Sequence, residues 1–249
     1  MGKIIGIIPS RLESSRLIRK PLHKILGIPL IVHVYRRARL CKAIDDLIVA
    51  TDSEEIVALI EAEGGKAMMT SVNHKNGTER ISEVMMKYPA SFYTLINGDE
   101  ILLNPDSIEI SIQALIQNKD ADASILAVRF NRENSYSDFK LVLNKKKEVM
   151  YISRNDIPSG SRNQVAFRLK AYHLMTFRPE TLLAYINMDK SPLEKVEDHE
   201  HLRLIENGFK IICEVVDDEC ISLDMPTDIP LIEDYLKKDK IFENYVNKP

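Results

Sequence analysis

Cysteine is scarce and poorly spaced for joint work: Cys41, Cys213 and Cys220 are odd in number and form no C-x-x-C pair. That excludes a disulfide framework and a zinc knuckle, and reads as reduced thiols in a cytoplasm. An excess of positive charge is missing too. A net charge of −3 provides no broad basic field for nucleic acid, although local basic clusters remain open. No apolar run approaches the length of a membrane span. Ile4-Ile5-Gly6-Ile7-Ile8 gives way at once to Pro9 and a loop containing Arg11, Arg16 and Arg19, which is also too short for a signal peptide, so a soluble, unexported protein is expected. G-x-x-x-x-G-K-[ST], G-x-G-x-x-G after a strand and H-E-x-x-H are absent, as is any Ser-His-Asp or Cys-His arrangement that would supply a covalent nucleophile.

What is present is ordinary globular composition, 45% hydrophobic and 29% charged over 249 residues. That length suits one large α/β domain with a smaller lobe. Short β-branched runs at Lys3 to Ile8, Asp46 to Ala50, Lys66 to Thr70 and Phe92 to Ile96 alternate with helix-period segments, the pattern of βαβ units around a mainly parallel sheet. Leu30, Ile31, Val34, Ala38 and Cys41 mark one helix, on whose face His33 falls, and Ile56, Leu59 and Ile60 mark another, closed by Gly64-Gly65. Asp106, with Glu109 three residues on, predicts an N-cap for a helix through about Gln117. Then the rhythm changes. Ser124 to Phe130, Lys140 to Leu143 and Glu148 to Ser153 read as strands with a hairpin turn at Asn144 to Lys147, so a smaller antiparallel lobe is expected within about residues 124–190. A helix from about Leu193 to Glu206, a strand from Lys210 to Val216 and a final helix from Pro226 to Leu236 complete the expected order.

Three segments carry chemistry. The stretch Pro9-Ser10-Arg11 through Lys20-Pro21-Leu22 is a basic loop after the first strand, where open α/β sheets bind ligands. Arginine forks, a lysine and small serines suit a polyphosphate, while a solvated basic turn fits the same residues. Asn97-Gly98-Asp99-Glu100 follows an apolar strand, which puts Asp99 at a strand's carboxyl end, as a hard oxygen ligand for Mg²⁺ or as a turn aspartate. Asp224, ahead of Pro226, reads as a second metal carboxylate or as a helix N-cap.

Ile8-Pro9-Ser10-Arg11 through Leu22 resembles the opening motif I-P-A-R-x-x-S-[ST]-R-[LF]-x-x-K-P-L of the 3-deoxy-manno-octulosonate (Kdo) cytidylyltransferases. Collinear matches run along nearly the whole chain: Ile31-Val32-His33-Val34, Val49-Ala50-Thr51-Asp52, Met69-Thr70-Ser71 leading to His74, Gly77-Thr78-Glu79-Arg80, Asn97-Gly98-Asp99-Glu100, Tyr151-Ile152-Ser153-Arg154, Ser191-Pro192-Leu193-Glu194 and Asp224-Met225-Pro226-Thr227-Asp228. The resemblance implies a Rossmann-like nucleotidyltransferase sheet and transfer of CMP from CTP to an anionic sugar acid with release of pyrophosphate. Arg11, Lys20 and Asp99 are then the catalytic residues. Pro9, Ser10, Arg11, Ser14, Arg16, Lys20, Thr51, Asp52, Asn76, Gly77, Thr78, Arg80, Asn97 and Gly98 would hold the nucleotide, and Asp99 and Asp224 would hold Mg²⁺. It also implies a homodimer built through the second-half lobe, in the setting of lipopolysaccharide or capsule biosynthesis.

Departures cluster on the acceptor side, where Arg154, His173, Glu200 and His201 are the expected contacts. The family's Q-G-D-E-P is Asn97-Gly98-Asp99-Glu100-Ile101 here, its H-[LIV]-G-[IV]-Y-[GA]-[YF] strand has become roughly Lys170 to Phe177, and His201 replaces the glutamine of L-E-Q-L-R. These changes predict an acceptor other than ordinary Kdo. A phosphonate or phosphate acceptor and a non-catalytic CTP-binding regulator are the alternatives.

Overall fold

The computed structural model describes residues 2–13, 17–223 and 225–246. It forms two compact units, Met1–Glu109 with Glu219–Pro249, and Ile110–Asp218.

The first unit is built on a parallel sheet. Its strands are β1 (Ile4–Ser10), β4 (Asp46–Thr51), β5 (Lys66–Met69) and β6 (Phe92–Ile96), in the order β6-β1-β4-β5. Ile4, Ile5, Ile7 and Ile8 are all buried, as a strand covered on both faces requires, and this explains the unbroken apolar runs in the sequence. A short ribbon, β2 (Lys24–Ile25) and β3 (Ile28–Pro29), leads into α1 (Leu30–Ala38). Helix α2 (Glu54–Ala62) starts on the Ser53 side chain and is followed by Gly64 at φ +69°, while α3 (Gly77–Lys87) starts on Asn76, whose Oδ1 accepts from Glu79 N–H at 2.9 Å. Helix α4 (Pro105–Gln117) corrects the expected cap. Asn104 precedes Pro105 and its Oδ1 accepts from Asp106 N–H at 3.1 Å, so Asp106 lies in the first turn.

The second unit is mixed. β7 (Ala123–Phe130) pairs antiparallel with β10 (Arg168–Phe177) and parallel with β11 (Ile211–Val216). β8 (Lys140–Leu143) pairs with β10 and, through the expected hairpin turn, with β9 (Val149–Ser153); Lys147 in that turn has φ 63°. The register of β10 against β7 shifts between Tyr172 and Met175, which leaves His173 and Leu174 in a bulge. The helices are α5 (Pro179–Ile186), α6 (Pro192–Glu197) and α7 (Leu202–Glu206). One helix from Leu193 to Glu206 was expected; Asp198, left-handed at φ 53°, divides it. The two halves stay tied because Arg203 donates to both Glu194 oxygens, at 2.8 and 2.7 Å.

The chain then returns to the first unit with α8 (Ile229–Leu236) and α9 (Lys240–Val246). The expected final helix is therefore a 3-10 turn over Pro226–Asp228 followed by α8, and α9 ends the described chain. Tyr245 of α9 is buried against His33 of α1. The His33 Nε2–H donates to the Ile25 carbonyl at 2.8 Å, so Nδ1 accepts from the Tyr245 hydroxyl at 2.8 Å. Burial, helped by Arg37 and Arg36, lowers the His33 pKa to about 4 and keeps the ring neutral. Among the described residues, no helix is long and apolar enough to cross a membrane.

Candidate functional site

In the first unit the carboxyl ends of β1, β4 and β6 gather most of the expected nucleotide residues. Parallel strands β1 and β6 are neighbours, so the loop after Ser10 and the turn after Ile96 emerge side by side. Gly98 is required at that turn: a Cβ there would lie 2.9 Å from the Pro9 carbonyl oxygen. Asp99 follows, and its Oδ2 accepts from Lys20 Nζ at 2.7 Å, with the two side chains 32% and 12% exposed. The pair is shielded yet open to a ligand. Lys20 is held by a 3-10 turn, Lys20–Leu22, anchored by buried Pro21. Arg11 is exposed, Pro9 and Asn97 are half-buried, and the buried Ser10 hydroxyl has no hydrogen-bond partner among the described residues. Ser14 and Arg16 lie outside the described residues.

Thr51, Asp52 and Arg80 form the framework of this site. Arg80 is buried, donating to Asp52 Oδ2 at 3.0 Å and to Thr70 Oγ1 at 2.6 Å. Asp52 Oδ1 accepts from Leu12 N–H at 3.1 Å, and Thr70 Oγ1 donates to the Thr51 carbonyl at 3.1 Å. The guanidinium is thus tied, through Asp52, to the loop that carries Arg11. Thr78 is fully buried one residue into α3, while Asn76 and Gly77 sit at its amino end, where backbone N–H groups favour anions.

Glu100 was not singled out by sequence reasoning. It is 3% exposed and accepts from Ser222 Oγ at 3.0 Å, while Leu223 N–H donates to the Asp99 carbonyl at 3.4 Å. The segment ahead of residue 224 is therefore fastened to the Asp99 turn. Asp224 itself lies outside the described residues. Among the described residues no three His, Cys, Asp or Glu side chains are grouped to hold a metal by themselves. Asp99 still fits Mg²⁺, which uses one or two hard carboxylates and takes its remaining ligands from water and nucleotide phosphates.

The expected acceptor residues lie in the second unit. Arg154 lies with its guanidinium 4.1 Å from the Phe139 ring centroid and donates to the carbonyls of Glu197 at 3.2 Å and Tyr136 at 3.1 Å. The Glu197 carboxylate accepts from Arg154 N–H at 2.9 Å, Ser153 Oγ at 2.7 Å and Tyr151 Oη at 3.0 Å. Burial pushes its pKa up, but these hydrogen bonds outweigh that and hold it below the usual range. Fully buried Lys140 pins the same loop through the carbonyls of Ser135, Asp138 and Arg154.

Around Phe139 gather three histidines. His199 meets it edge-on at 4.4 Å between centroids, His173 stacks on His199 at 5.7 Å, and His201 lies 5.1 Å from His199. His201 is buried, its Nε2 lies 3.6 Å from a Glu200 oxygen, and burial lowers its pKa to about 3. Sequence reasoning named His173 and His201 but missed His199. The signal available was its place in His199-Glu200-His201, directly after the Asp198 helix break.

The cytidylyltransferase family model matches residues 5–211. A 3-deoxy-manno-octulosonate cytidylyltransferase of Protochlamydia amoebophila is 36% identical, covering 97% of this chain and 97% of its own. Its counterpart in Fusobacterium nucleatum is also 36% identical, covering 96% of this chain and 99% of its own. The solved structure of a CMP:2-keto-3-deoxy-manno-octonic acid synthetase complexed with CTP superposes with a TM-score of 0.90 at 32% identity, over 95% of this chain and 99% of that one. With that family model spanning most of its length and relatives 36% identical over nearly all of it, the chain belongs to the cytidylyltransferase family.

Proposed function

We propose that this enzyme transfers CMP from CTP to 3-deoxy-manno-octulosonate or a closely related sugar acid, releasing pyrophosphate. The observation that carries the reading is the Lys20–Asp99 pair, at 2.7 Å, at the carboxyl ends of adjacent parallel strands. It sets a cation for phosphate beside a carboxylate for a divalent metal, on a chain whose full-length relatives are named for this reaction.

An acceptor hydroxyl oxygen forms a bond to the α-phosphorus of CTP as the bond to the bridging oxygen of pyrophosphate breaks, and the hydroxyl proton is released. Lys20 and Arg11 hold the departing phosphates, with Arg16 assigned beside them by resemblance. Gly98 keeps the Asp99 turn against β1, and Arg80 with Asp52 fixes the start of the basic loop. Asp99 and Asp224 are assigned to Mg²⁺, which when bound neutralises charge on the phosphates. Arg154 suits the acceptor's carboxylate, and His173, Glu200 and His201 suit its hydroxyls. Most of the work is positioning and electrostatics.

The same reading has the enzyme act as a cytoplasmic homodimer. Exposed Tyr136, Met150 and Phe167 on the second unit support a partner there, and light scattering tests it.

The test of function is pyrophosphate release with each nucleoside triphosphate against a panel of sugar acids, phosphates and phosphonates. CTP with a Kdo-type acid should lead the panel. A phosphate or phosphonate acceptor in that place would overturn the acceptor assignment, and CTP binding without turnover would make the protein a regulator.

A further inference from the structure

We infer that His199 is a specificity-determining contact of the acceptor site, reading sugar hydroxyls through its two ring nitrogens. The inference rests on the sugar-acid reading above and adds to it a residue and a ligand chemistry.

His199 is 4% exposed, and its two buried ring nitrogens have no hydrogen-bond partner on any other described residue, its own backbone being the one such contact that bears on the ring. Its surroundings are an aromatic edge from Phe139, the stacked ring of His173 and the ring of His201. Burial, followed by the charges of His201, His173 and Arg154, disfavours the imidazolium, so the ring is neutral. A neutral imidazole carries one N–H donor and one lone-pair acceptor. Leaving such groups unmatched in a buried site is expensive, and a leucine would fill the same space without that cost. A polar ring kept there is matched to something that enters.

The donor and acceptor together define what enters. A carboxylate only accepts and an ammonium only donates, whereas a hydroxyl does both, so adjacent hydroxyls of a polyol satisfy both nitrogens. The cationic partner for the acid group is supplied separately by Arg154, whose side chain is 36% exposed. Within the cluster His173 is the half-buried member and lies in the bulge of β10, so it is the ring nearest to solvent, which a hydroxyl would meet before His199.

The test is a cycle between protein and substrate. Kinetics are measured with CTP and Kdo, and with Kdo analogues each lacking one hydroxyl, for the wild type, His199→Leu and His199→Gln. The leucine variant should raise the KM for Kdo roughly ten- to a hundred-fold while the KM for CTP stays as in the wild type and the melting temperature does not fall. Glutamine, which keeps a donor and an acceptor, should recover part of the loss. One deoxy analogue should be handled equally by wild type and leucine variant, because the contact is already gone. If leucine leaves the KM for Kdo unchanged, or lowers efficiency by the same factor for Kdo and every analogue, the inference is overturned while the sugar-acid reading stands. A wild type that releases no pyrophosphate with Kdo or any other sugar acid overturns the reading itself. Should the leucine variant not fold, His199→Met carries the same cycle with a side chain that adapts to the space.

Discussion

Lys20 Nζ lies 2.7 Å from Asp99 Oδ2, joining residues 79 positions apart in the chain. The contact exists because β1 and β6 are parallel neighbours and both turn over at the same edge of the sheet. On the proposed reading, a triphosphate arriving there would meet a cation already oriented by a carboxylate, and that carboxylate is of the hard oxygen type that suits an accompanying divalent metal. Asp99→Asn keeps the size and removes the charge. It should abolish pyrophosphate release while the thermal unfolding midpoint stays near that of the wild type, and EDTA should stop the wild-type reaction. Turnover by the asparagine variant at the wild-type rate would remove Asp99 from the site.

Lys20→Ala tests the other half of the pair. A charged hydrogen bond to phosphate contributes about 1.5 to 3 kcal/mol, so kcat/KM for CTP should fall about ten-fold or more. Steady-state kinetics with CTP as the varied substrate measures it. The exposed Arg11 should behave alike on truncation to alanine, whereas exposed Arg19, already paired with Glu55 at 2.5 Å, should matter far less.

Much of the first unit is legible in the sequence. The four parallel strands were found within about two residues at each end, because strands buried on both faces read as unbroken β-branched runs. The places of the basic loop and of Asp99 after strand ends were legible for a related reason: both directly follow such runs, and in these sheets the carboxyl ends of strands are where ligands bind. The helix expected from Leu193 to Glu206 was not, since its apolar spacing continues across Asp198, and only the backbone reveals a non-glycine residue in the left-handed region. Arg80 was assigned to the nucleotide by resemblance, and sequence order says nothing about its pairing with Asp52 and Thr70. His199 was passed over because an orphaned ring is a property of packing, and its neighbours come from β10 and from the segment before β8 as well as its own turn.

Arg80 therefore carries a different expectation from Lys20. Arg80→Met leaves the Asp52 carboxylate without its ion pair in a mostly buried site, which typically costs about 3 to 5 kcal/mol of stability. Urea denaturation should register that loss. Asp52 would also hold Leu12 less firmly, so KM for CTP should rise at temperatures where the variant remains folded.

Glu197 is expected to act on the acceptor alone. Its carboxylate gathers Tyr151, Ser153 and the Arg154 backbone, and its own carbonyl takes the Arg154 guanidinium. Glu197→Gln replaces one accepting oxygen with a donor that opposes the N–H and O–H groups around it. KM for the sugar acid should rise several-fold with KM for CTP unchanged, and a rise in both would mean that the substitution merely loosens the fold.

Acid stability offers a measurement independent of catalysis. His33 is fully buried between the Ile25 carbonyl and the Tyr245 hydroxyl, with Arg36 and Arg37 as the charges that further disfavour its protonation, and its pKa is lowered to about 4. The unfolded chain binds a proton at that ring near pH 6.5, whereas the folded chain resists until about pH 4. Between those values the unfolded state holds more protons, so stability falls as pH drops, and the full contribution is present above the unfolded value. The accumulated loss from this one ring is on the order of 3 kcal/mol at pH 4. His201, lowered to about 3, adds in the same direction over the same fall in pH. His33→Gln retains a donor to Ile25 and cannot titrate, so it should be less stable than the wild type at pH 7.5 and should lose less on acidification. Chemical denaturation of both proteins at pH 7.5, 6, 5 and 4.5 gives the two slopes, and parallel slopes would mean that His33 is not the group whose protonation unfolds the first unit.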